Sequence, residues 1–130
     1  MAWSDKYIGA PFSQQGDGPD NFDCWGLIRH VYKEHFGVVL SRSGYDYDDA
    51  DQCQSLITHH AHEFVKADGP TEGALVLWHF KGNRPHVGIC VNEREMLHMT
   101  KDNGAVVVRL GTSKVRNGIL GYYLPNRSAA

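Results

Sequence analysis

The sequence lacks the run of roughly 18 apolar residues that a membrane-spanning helix requires, anywhere in its 130 residues. It also lacks a charge excess: 13 lysines and arginines face 15 aspartates and glutamates, for a formal net charge of −2. Without a basic field there is no general attraction to nucleic acid or to an anionic membrane surface. Recognition is therefore expected in a local cleft, with no nucleic-acid partner. Cysteine is scarce, at three, and no two of Cys24, Cys53 and Cys90 stand in a C-x-x-C spacing. That argues against a disulfide framework or a zinc ribbon and in favour of free thiols. The opening "MAWSDKYIGA" is not a cationic segment followed by an apolar one. No secretory leader is read from it, and synthesis in a cytoplasm is expected. No repeat, low-complexity tract or linker divides the chain, so residues 1–130 are read as a single domain.

What is present suits one core, with 42% of residues hydrophobic. "SQQGDGPDNFD" reads as loop. From Cys24 the residues Trp25, Leu27, Ile28, Val31, Tyr32 and Phe36 follow helical spacing, with Asp23 as N-cap and Gly37 as C-cap. "SRSGYDYDDADQ" reads as loop, and "DQCQSLITHHAHEFVKADG" as a second helix, capped near Asp49 or Asp51 and stopped at Gly69. After Pro70 the pattern changes. "ALVLWHF", "HVGICV", "MLHMT", "AVVVRL" and "ILGYYLP" read as strands. Helices followed by an antiparallel meander imply an α+β domain.

A thiol in the first turn of a helix lies beside unpaired backbone N–H groups and the positive end of the helix dipole. Those groups favour thiolate, lowering a reactive cysteine to a pKa of roughly 3.5–7.5, and are placed to hold an oxyanion. Cys24 has that position; the alternative is an inert packed thiol. A nucleophile also needs a base. His59, His60 and His62 in "HHAHE" spread around the expected second helix, and no H-E-x-x-H occurs, so they are read as solvent-facing. His30 and His35 are read as helix-surface residues, and His79 as a strand end.

His86 and His98 differ, because they lie in two strands joined by "NERE". A three-residue loop, Asn92 to Arg94, pairs Val91 with Glu95 and brings His98 opposite Gly88. His86, Gly88, Cys90, Met96 and His98 then share a sheet face. A two-residue loop would separate the histidines onto opposite faces. In the first register His86 is the candidate base for Cys24, and His98 the residue that orients it. The alternatives are two strand histidines with satisfied hydrogen bonds, or a Cys–His–His zinc site. No cofactor is called for.

"FDCWGL", "EGALVLWHF", "HVGICV" and "MLHM" occur in this order and resemble the successive motifs of the NlpC-type cell-wall cysteine peptidases, a papain-like family. The resemblance runs from about Tyr7 to Pro125. It implies a papain-like fold, with N-terminal helices packed on a mainly antiparallel sheet, and hydrolysis of peptidoglycan stem peptides, typically between D-glutamate and the diamino acid. Under it Cys24 matches the nucleophile, His86 the base and His98 the third polar residue, with no metal. Asp23, Phe12 and Trp25 would line the substrate site, Asp23 in the subsite for the stem's free amino end. A narrower likeness, in "YIGAPF", "FDCWGLIRHVY" and "NGILGYYLP", is to bacteriophage tail members. It implies tail-tip partners and a place in the virion. Many relatives carry tyrosine where this chain has Phe12, which donates no hydrogen bond unless Ser13 or another tyrosine substitutes. Gly73-Ala74-Leu75 replaces the family's common "GDL".

Overall fold

The computed structural model describes residues 3–13, 16, 18–40, 61–80 and 84–126. The helix read from Cys24 onward is α1 (Cys24–Phe36), and both ends close as the local residues dictate. Asp23, extended at φ −89° and ψ −178°, accepts the Gly26 N–H through its carboxylate. Gly37 turns into the left-handed region at φ 67° and donates its N–H to the Tyr32 carbonyl, a conformation that costs glycine little.

Six strands follow: β1 (Phe64–Lys66), β2 (Leu75–Phe80), β3 (Arg84–Cys90), β4 (Glu95–Thr100), β5 (Gly104–Arg109) and β6 (Ile119–Pro125). They form one sheet in the order β1–β6–β2–β3–β4–β5, with every pair antiparallel. Strands β2 to β5 are the expected meander, and β6 returns to lie between β1 and β2. A short helix, α2 (Ser113–Arg116), joins β5 to β6.

Strand alternation gives the sheet two differently filled faces. On one, Val87, Ile89, Leu97, Met99 and Ala105 pack with Leu27, Ile28, Val31 and Tyr32 of α1. Those four helix residues are fully excluded from solvent, a burial that contributes about 2 kcal/mol per side chain. Tyr32 also donates its hydroxyl to the Gly73 carbonyl at 2.6 Å, which ties the helix to the entry of β2. On the other face Val76, Trp78, Cys90 and Met96 pack with Leu110 and Val115. The α+β class and the helix-on-sheet arrangement are therefore as expected.

The end of the second helix, from Ala61 onward, is not as read. Residues 41–60 lie outside the described residues, but Ala61–Glu63 form a single 3-10 turn and Phe64–Lys66 a strand. The reason is tertiary: β6 pairs with this segment, Phe64 to Pro125 and Lys66 to Tyr123, and Phe64 packs on Trp25 and Tyr32. The pairing overrides a helical spacing. The sequence reading also missed the 3-10 turn Trp3–Tyr7, strand β1 and helix α2. Among the described residues no helix is long and apolar enough to cross a membrane.

Candidate active site

Cys24 is the first residue of α1 and is buried, at 5% exposure. No acidic residue occupies the first helical turn. The dipole's positive end is met instead by the Asp23 carboxylate, itself 1% exposed, which takes the Gly26 N–H at 2.6 Å. The incoming chain is pressed against this turn. Gly16 accepts the Asp23 N–H at 2.9 Å, and a Cβ on Gly26 would collide with the Gly16 carbonyl oxygen. Only glycine permits that approach.

Phe12 is half-buried and forms a parallel bridge with Phe22, two residues before Cys24. The Ser13 N–H donates to the Phe22 carbonyl and the Phe22 N–H to the Pro11 carbonyl. Trp25, expected at the substrate site, is 2% exposed and packs edge-on against Phe64, so it offers almost no surface to a ligand.

The hairpin between β3 and β4 has the three-residue loop. Asn92 Oδ1 accepts the Arg94 and Glu95 N–H groups, and the Val91 N–H donates to the Glu95 carbonyl. Ile89 opposes Leu97 and Cys90 opposes Met96. This register carries His98 to the level of Gly88, where a Cβ would stand 2.9 Å from Met96 Sδ and 3.3 Å from His98 Cβ. The two histidines meet: His86 Nε2 lies 3.2 Å from His98 Nδ1 and 3.1 Å from the Met99 carbonyl oxygen. Both are buried, at 3% and 2% exposure.

A carbonyl only accepts, so His86 Nε2 carries the proton and its Nδ1 keeps the lone pair. Burial pushes His98 down to about 4, an effect partly opposed by a hydrogen bond to the Met99 backbone. His98 is therefore neutral at neutral pH. The sequence reading passed over Trp78, whose indole stands edge-on to both imidazoles. What places it there is the pairing of Trp78 with His86 across β2 and β3, which no local pattern in the sequence announces.

Helix α1 packs on β3 and β4. Cys24 thereby joins one apolar cluster with Val87 and Met99, the chain neighbours of His86 and His98. The other thiol and histidines fall elsewhere. Cys90 is fully buried on the sheet face away from α1, the face that strand alternation gives to His86 and His98, and burial pushes its thiol up to about 11 against a smaller backbone hydrogen-bond effect. His62 is exposed and His79 half-buried, while Cys53, His59 and His60 lie outside the described residues. His30 and His35 are half-buried rather than surface residues. Tyr7 packs on both rings, its hydroxyl 2.9 Å from His35 Nε2, and Trp3 stacks on His35. Among the described residues no three His, Cys, Asp or Glu side chains are grouped so as to hold a metal ion.

Comparison with known proteins bears on this arrangement. Over 105 residues the chain is 30% identical to a probable endopeptidase p60 of Listeria seeligeri, which covers 80% of this chain and 17% of that protein. It is 23% identical over 99 residues to the murein DD-endopeptidase MepS/murein LD-carboxypeptidase of Escherichia coli K12, covering 76% of this chain and 47% of that one. The chain thus spans less than half the length of these curated relatives. The crystal structure of the NlpC/p60 domain of the peptidoglycan hydrolase SagA superposes with a TM-score of 0.59 at 22% identity, covering 92% of this chain and 89% of that one. The NlpC/P60 family itself matches from residue 9 to residue 123, a span that takes in α1, the whole β2–β5 meander and most of β6; the chain belongs to the NlpC/P60 family.

Proposed function

We propose that this protein is a peptidoglycan endopeptidase that cleaves a stem-peptide amide bond, typically between D-glutamate and the diamino acid, through Cys24, His86 and His98. The observation that carries the reading is the His86–His98 contact at 3.2 Å, on strands against which the Cys24 helix packs. With Nε2 held by the Met99 carbonyl, His86 Nδ1 is the atom left to take the thiol proton. The thiolate attacks the scissile carbonyl, and the backbone N–H of Cys24 stabilises the oxyanion. His86 then protonates the leaving amine, and water releases the thioester. Asp23, itself 1% exposed, and half-buried Phe12 are the residues that the family resemblance assigns to substrate.

Cys24→Ala is expected to lower cleavage of defined muropeptides by at least about a thousandfold, with products identified by mass and the fold checked by circular dichroism. Undiminished cleavage would overturn the mechanism. Phe12 favours a second reading, a structural tail protein with a vestigial site, because a missing oxyanion donor costs on the order of a hundredfold. Wild-type protein that cleaves no muropeptide would support it. The tail assignment rests on the likeness of "YIGAPF", "FDCWGLIRHVY" and "NGILGYYLP" to phage tail members. It places the protein in the virion, beside tail-tip proteins, opening the cell wall at infection. Its absence from purified particles of a phage that encodes it would refute that part alone.

A further inference from the structure

Three rings form a closed set beneath the proposed site. The imidazoles of His86 and His98 stand 5.2 Å apart at 85°, and the Trp78 indole meets them at 5.7 Å and 70° and at 5.1 Å and 90°. All three are nearly excluded from solvent. Trp78 is held from two sides. It pairs with His86 across β2 and β3, and on the β6 side the register shifts at the Leu77–Trp78 step, Leu77 facing Gly121 but Trp78 facing Ile119. Leu120 is the extra residue, so the sheet is locally more twisted beside the indole.

We propose that Trp78 is the positioning residue of the histidine pair, an edge-on wall that fixes the angle between the two imidazoles and keeps water from His98. The proposal rests on the peptidase reading for its catalytic consequence and on ring geometry for the rest. The physical argument is one of freedom. An imidazole held by one hydrogen bond still rotates about it, and His86 Nε2 already divides its proton between His98 Nδ1 and the Met99 carbonyl. A ring packed nearly perpendicular to both imidazoles opposes that rotation through the T-shaped contact of aromatic pairs. The same wall accounts for the desolvation of His98. Trp78 touches no reacting atom in this scheme and acts only through His86 and His98.

The test replaces Trp78 by Phe, which keeps an aromatic edge, and by Leu, which removes it, in the full chain. Histidine titration followed by NMR is the readout that needs no substrate. Trp78→Leu is expected to raise the His98 titration by about one pH unit toward the ordinary value. On muropeptides it lowers kcat about tenfold with KM little changed. Trp78→Phe should recover most of both effects. A folded Trp78→Leu protein with unmoved histidine titration, or with a lower melting temperature as its only change, would overturn the proposal. Should the Leu variant not fold, Trp78→Met, which also removes the ring, decides by the same readout: an upward shift of the His98 titration supports the wall, and an unshifted titration removes it. Inactive wild-type enzyme would sink the peptidase reading and leave the titration result standing.

Discussion

Cys24 and Cys90 are both buried free thiols, at 5% and 0% exposure, yet they sit in opposite electrical surroundings. Cys90 ends β3 among Ala74, Val76 and Met96, where burial pushes its thiol up to about 11 and a backbone hydrogen bond at Thr71 offsets only part of that. Cys24 begins a thirteen-residue helix, beside N–H groups that burial has not deprived of direction. Burial alone therefore says little about reactivity; the dipoles inside the buried region decide it. His98 repeats the lesson with the sign reversed, since the same loss of water that disfavours a thiolate at Cys90 disfavours an imidazolium at His98.

The comparison is sharpest in a labelling experiment. With iodoacetamide at pH 7 and peptide mapping, Cys24 is expected to react at least about a thousandfold faster than Cys90. Equal rates would erase the distinction and leave Cys24 a packing residue. A second measurement isolates the burial effect. Unfolded His98 titrates near 6.5 and folded His98 near 4, so between those values only the unfolded chain binds the proton. Its contribution to stability is complete above pH 6.5 and declines as the pH falls toward 4, by up to about 1.4 kcal/mol per pH unit. Denaturant midpoints from pH 7 to 4 check this, and replacing His98 with Gln should flatten the slope. The smallest effect concerns the cap. Asp23→Ala removes the acceptor of the Gly26 N–H and is expected to cost about 1 kcal/mol of stability while leaving Cys90 labelling unchanged. An equal change in labelling at both cysteines would mean that the variant acts through global unfolding.

Features decided within a few residues were legible in the sequence. Helix α1 could be bounded because Asp23 and Gly37 act locally, and the hairpin register followed from the parity of its loop. Features decided by distant partners were not. Phe64–Lys66 is a strand only because β6 arrives to pair with it. His30 and His35 read as surface residues because their cover, Trp3 and Tyr7, comes from the other end of the helix's sequence neighbourhood. Trp78 went unnoticed because its significance lies across the sheet, at His86. The end read for the second helix shows the converse hazard, a local pattern at Phe64–Lys66 outweighed by tertiary pairing.

The turn at Asn92–Arg94 carries a consequence for how this chain tolerates change. Strand β3 is locked on its far side by β2, and β4 by β5, so neither can slide to absorb a miscounted turn. Rewriting those three residues should be forgiven, and so should lengthening the turn by two. Adding or deleting one would send His98 to the sheet face opposite His86 while every residue of the site remained in the gene.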